Sequence, residues 1–172
     1  MKTTLVIVTA LSLAGVAHAE PVKPADKKGA KPAPAPVVKT PPLPPQLDDT
    51  MFADAATAKW APVASLPKGA QGALIGTDAN NGGMAGWLKL PAGYHLPATW
   101  ETHISTYTIV SGTLTITNNG VKHAMGPGSY AVLTTKDKHE LTCGAAECVM
   151  IVNHLGPPDM HWVNPADAPK TK

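Results

Sequence analysis

Leu90-Pro91-Ala92-Gly93-Tyr94-His95-Leu96-Pro97-Ala98-Thr99-Trp100-Glu101-Thr102-His103-Ile104-Ser105-Thr106-Tyr107-Thr108-Ile109-Val110-Ser111-Gly112 is the stretch from which the rest of the chain is read. Pro91-Ala92-Gly93 makes a turn, and a polar, histidine-bearing approach follows it. Tyr107 to Val110 is rich in aromatic and β-branched residues, which pack well on a pleated surface. Ser111-Gly112 ends that run. Thr113-Leu114-Thr115-Ile116-Thr117 then alternates polar and apolar, the period of a strand with one buried face.

The same texture extends in both directions. Downstream, Asn119-Gly120 predicts a two-residue hairpin turn, because both residues tolerate positive φ. Val121 to Met125 is the returning strand. Gly126-Pro127-Gly128 turns the chain again, before strands over Tyr130 to Leu133, Glu140 to Cys143 and Cys148 to Val152. Upstream, Ala73 to Ile75 and Met84 to Leu90 read as strands, and Ala53 to Ala58 as a short turn of helix. Many short strands with Gly/Pro punctuation predict an all-β sandwich or barrel over residues 48–169, with residues 170–172 as a tail.

The N-terminus has a different composition. Lys2, the apolar run Leu5 to Val16 and the small-x-small triplet Ala17-His18-Ala19 read as a secretory signal over residues 1–19, cleaved after Ala19. Residues 20–47 are built from Pro, Ala and Lys, including Pro41-Pro42-Leu43-Pro44-Pro45, without apolar periodicity. They read as an extended spacer, and tethering or partner docking are its two uses. The expected location is the bacterial periplasm or the outside. Cys143 and Cys148 suit an oxidising compartment. The four residues between them predict a hairpin loop with the two cysteines bridged across its base, a staple of about 2 kcal/mol.

The net charge is +2, with 14 Lys and no Arg. Many of the lysines lie in the spacer and tail, so no basic patch points to nucleic acid. No apolar run is long enough for a membrane span.

The segment from Trp60 to Pro169 resembles the cupin family, whose fold is a double-stranded β-helix, or jelly-roll, barrel. The family's first motif is a Gly, five residues, His-x-His, a short gap, Glu, six residues and Gly. Here Gly93 and Gly112 keep their places, while Thr99 and Glu101 stand at the two His positions and Ser105 at the Glu position. In the second motif Gly128 and His139 are kept. Thr134 stands for the Pro, Lys136 for a Gly and Cys143 for the Asn.

The resemblance implies a pocket at the barrel mouth lined by Thr99, Glu101, His103, Ser105, Tyr107 and His139. It also implies a divalent transition metal as a cofactor in those members that keep the ligands. Glu101 and His103 share strand parity, so with His139 they form a displaced two-His, one-carboxylate candidate set. His95 is a further candidate. In the alternative, Glu101 and His139 pair with each other and no metal is held. His123, His154 and His161 read as surface or edge residues, and Trp87 and Trp100 as core or pocket wall.

Three functional expectations follow. The first is an exported single-domain cupin that binds a small molecule, its metal site altered or lost. The second is a metal-dependent, oxygenase-like enzyme using Glu101, His103 and His139. The third is an envelope interaction module. The resemblance also implies a homodimer. No residue is assigned a catalytic role, since a fold alone does not assign a reaction.

Overall fold

The computed structural model describes residues 46–47 and 50–170. The expected signal segment with its cleavage after Ala19, nearly all of the expected spacer, and residues 171–172 lie outside the described residues.

Eleven strands form two antiparallel sheets: β1 (Ala61–Pro62), β2 (Gln71–Thr77), β3 (Met84–Leu90), β4 (His95–Trp100), β5 (Ser105–Ser111), β6 (Leu114–Asn118), β7 (Val121–Met125), β8 (Tyr130–Leu133), β9 (His139–Cys143), β10 (Cys148–His154) and β11 (His161–Trp162). One sheet runs β1-β2-β3-β10-β5-β8 and the other β11-β4-β9-β6-β7. No α-helix occurs among the described residues.

The pairing is nested. β6 pairs with β7, β5 with β8, β4 with β9 and β3 with β10. The chain is thus one long hairpin rolled into a jelly roll, which protects most strand edges. Its tip is the predicted turn: Asn119 and Gly120 have φ of 48° and 80°. The two inner faces meet in a core whose fully buried side chains include Leu90, Ile109, Leu114, Leu141 and Met150. Tyr94 closes one flank, its hydroxyl donating to the Pro67 carbonyl at 2.8 Å. Burial pushes its phenol up to about 12.

Three local expectations change. Cys143 and Cys148 are bridged, with Cα atoms 5.9 Å apart, but not across a hairpin. Cys143 ends β9 in one sheet and Cys148 starts β10 in the other. The loop therefore arches between sheets, and the disulfide ties the two layers with both cysteines buried. A four-residue connection fits either arrangement, and burial of both side chains selects the arch. The histidine-bearing approach is itself a strand, β4, despite Pro97. Ala53 to Ala58 makes only a turn, with the Thr57 N–H donating to the Asp54 carbonyl at 3.2 Å.

Gly112, between β5 and β6, has a φ of 77°. A Cβ there would collide with the Glu147 carbonyl. The arch and the β5–β6 turn touch because this residue has no side chain.

Candidate functional site

β4 faces the cavity because of an irregularity. Leu96 pairs with Leu141 of β9, but Thr99 pairs with His139, so β4 carries one extra residue over Pro97-Ala98. In a regular strand, residues three apart face opposite ways. The bulge restores the parity, and Leu96, Thr99 and then Glu101 all line the barrel interior. Pro97, which has no N–H to give to a ladder, sits at this irregular point.

The interior at this end is a cavity of about 520 Å³. Its apolar wall includes Val63, Leu66, Leu88, Leu96, Leu141 and Val152. Thr99, Glu101, Tyr107, His139, His154 and Asp159 supply the polar lining. Thr99, Glu101 and His139 are 1%, 8% and 3% exposed.

The Nδ1 of His139 lies 3.0 Å from the Asp137 carbonyl. A carbonyl only accepts, so Nδ1 carries a proton. The Glu101 carbonyl accepts from the Lys136 N–H at 2.8 Å, which anchors the turn before β9. Lys136 takes a positive φ of 64° with its side chain exposed.

The Glu101 carboxylate is nine-tenths buried, with His154 Nδ1 3.7 Å from its Oε2. That is within ion-pair reach but beyond hydrogen-bond length. Oε2 has no hydrogen-bond partner in the protein, nor has Thr99 Oγ1. Burial first, and then the neighbouring Glu101 carboxylate, push the Tyr107 phenol up, so it remains an O–H donor.

Asp159 pins the rim. Its carboxylate accepts from the Thr102 N–H at 3.0 Å and from the Thr102 hydroxyl, and lies 2.9 Å from His161 Nε2. The Thr102 hydroxyl is the chief reason its carboxyl is held down at about 2, with His161 adding to the effect. The His161 ring stacks on Trp100 with centroids 4.0 Å apart. These contacts hold Pro158, Asp159 and Met160 against the cavity.

The structure brings together Thr99, Glu101, Tyr107 and His139 of the expected pocket, but not His103 or Ser105. The parity argument for His103 fails because β4 ends at Trp100 and the next residues bend away. The His103 ring packs against Gly156, and its Nδ1 is 3.9 Å from Asp159 Oδ1. Ser105 starts β5 with 0% exposure and does not line the cavity. His95 is exposed, 3.2 Å from the Thr142 hydroxyl.

His154, read as an edge residue, faces the cavity and replaces His139 as the neighbour of Glu101. A signal for it exists in the sequence. Cys148, Met150 and Val152 form the inward row of β10, and His154 is the next position of the same parity.

The donor set does not fit a metal centre. Among the described residues, no group of three or more His, Cys, Asp or Glu side chains gathers where one ion would be held. Thr99 and Ser105 offer only neutral hydroxyls, which are poor ligands for transition metals.

No family model matches the chain, and no curated protein matches it. Solved structures do match. An RmlC-like cupin from Shewanella frigidimarina superposes with a TM-score of 0.52 at 14% identity, over 62% of this chain and 90% of that one. The polyketide cyclase RemF from Streptomyces resistomycificus gives 0.57 at 14% identity, over 67% and 87%. KdgF from a Halomonas species gives 0.54 at 18% identity, over 64% and 96%. Together with the nested pairing of the two antiparallel sheets, these similarities establish that the chain has the cupin fold.

Proposed function

We propose that this chain is an exported, single-domain cupin that binds a small molecule in its barrel, the family's metal site having been altered. One observation carries the reading: a cavity of about 520 Å³ between the sheets, walled by apolar side chains and holding a few convergent polar groups. That size and lining suit a small-molecule site. Thr99, Glu101, Tyr107, His139 and His154 are the residues that would contact the ligand. Export is supported by the signal-like N-terminus and by the Cys143–Cys148 disulfide. The same reading includes a homodimer formed through the outer face of the six-stranded sheet, where Val110, Tyr130 and Val132 are exposed.

The test is the metal content of untagged protein purified from periplasm, paired with thermal melts in the presence of small-molecule fragments. The expected result is no stoichiometric transition metal and a saturable, fragment-dependent rise in Tm. Near-stoichiometric iron, manganese, copper, nickel or zinc, with a melt sensitive to chelator, would overturn the reading in favour of a metal-dependent enzyme. Light scattering tests the dimer, which a purely monomeric species would exclude.

A further inference from the structure

The cavity's polar end is chemically one-sided. Glu101 Oε2 is buried, lines the cavity and has no hydrogen-bond partner in the protein. An ionised carboxylate only accepts hydrogen bonds, so what satisfies it must donate. Thr99 Oγ1, two residues away on the same wall, is buried and unpartnered as well, and a hydroxyl has two acceptor lone pairs. Asp159 adds a second carboxylate at the rim.

No Lys lines the cavity, and the chain has no Arg. Guanidinium forks and ammonium groups are the usual means of holding carboxylates and phosphates. The histidines are the only groups here that can become cationic. His154 already stands beside Glu101, and the Nδ1–H of His139 is committed to a backbone carbonyl. The cavity therefore disfavours anions, and no protein donor is within hydrogen-bond distance of its buried acceptors Glu101 Oε2 and Thr99 Oγ1.

We infer that the ligand is a small molecule with an apolar body and a protonated amine head, the ammonium seated on Glu101 Oε2 and Thr99 Oγ1 and the body lying against Val63, Leu66, Leu88, Leu96, Leu141 and Val152. The inference rests on the small-molecule reading of the cavity and specifies the chemistry of its ligand. An ammonium carries three donors and no acceptor, which matches two adjacent acceptor oxygens. Charge-assisted hydrogen bonds are the strong ones, so the head group dominates selectivity.

The experiment is isothermal titration of the purified full-length chain with matched probes. 2-Phenylethylamine, 2-phenylethanol and phenylacetate share a phenyl body, and the same three head groups are carried on cyclohexyl and indole bodies. The amines are expected to bind about tenfold or more tighter than the alcohols, with the carboxylates weakest. In E101Q the amine preference should fall to about that of the alcohols. T99V, a second variant in case E101Q does not fold, should weaken the amines severalfold.

Carboxylates or alcohols binding as well as the amines would overturn the amine assignment and leave the small-molecule reading standing. Amine selectivity that survives both substitutions would overturn the proposed seat. No member of the series binding more tightly than about 1 mM would overturn the inference and the reading together.

Discussion

Replacing Glu101 with Met should make the protein more stable. The carboxylate is nine-tenths buried, its Oε2 lacks a hydrogen-bond partner, and the nearest cationic candidate, His154 Nδ1, is 3.7 Å away. An unsatisfied buried polar group costs about 1–3 kcal/mol, and more if charged. Met has a similar length, removes that penalty and adds apolar contact with the cavity wall. The expected gain is about 1–3 kcal/mol. For a domain of this size that is a rise in Tm of about 3–10 °C, read by thermal melts and urea titration.

The opposite sign is expected if Glu101 and His154 form a structural ion pair. Removing one member of a buried pair leaves the other uncompensated and costs about 3–5 kcal/mol. A double-mutant cycle with His154→Phe separates the two cases. Coupling near zero supports a carboxylate kept for a ligand, whereas coupling of about 1 kcal/mol or more, together with a destabilised Glu101→Met, would refute the reasoning.

Three further outcomes are expected. The double substitution C143A/C148A should cost about 2–4 kcal/mol in urea titration, since the bridge closes a short loop and also ties the two sheets; an unchanged midpoint would contradict this. Gly112→Ala should cost about 2 kcal/mol or more, because the residue has a φ of 77° and its Cβ would meet the Glu147 carbonyl, and a neutral result would show that the arch can move aside. Asp159 is held at about 2 against an ordinary 3.8, so the fold favours its charged form. Its contribution is full above about pH 4 and is lost as the pH falls towards 2. Acid melts of wild type and Asp159→Asn should therefore converge over that interval, and parallel curves would count against the Thr102–Asp159 contact.

The fold was legible in the chain because strand periodicity and turn chemistry are local. Alternation over Leu114 to Thr117, the Asn119-Gly120 turn and the glycine-punctuated runs each report on backbone geometry within a few residues. β4 was obscured by its polar residues and Pro97, which weaken a strand signal without preventing pairing to β9 on one side and β11 on the other. The Cys143–Cys148 pairing was equally legible, because only a short loop separates the two residues.

The sequence by itself determined the all-β class, the hairpin turn at Asn119-Gly120 and the disulfide pair. Only the tertiary structure decided which side chains share the cavity. One inserted residue in β4 reverses side-chain parity, so Thr99 and Glu101 face inward together with Leu96, while the end of that strand at Trp100 releases His103 to pack on Gly156. Likewise the arch after Cys143 sends β10 into the opposite sheet, which carries His154 over to face Glu101. Parity and sheet assignment depend on bulges and on pairing between strands distant in sequence, and a local pattern does not encode either.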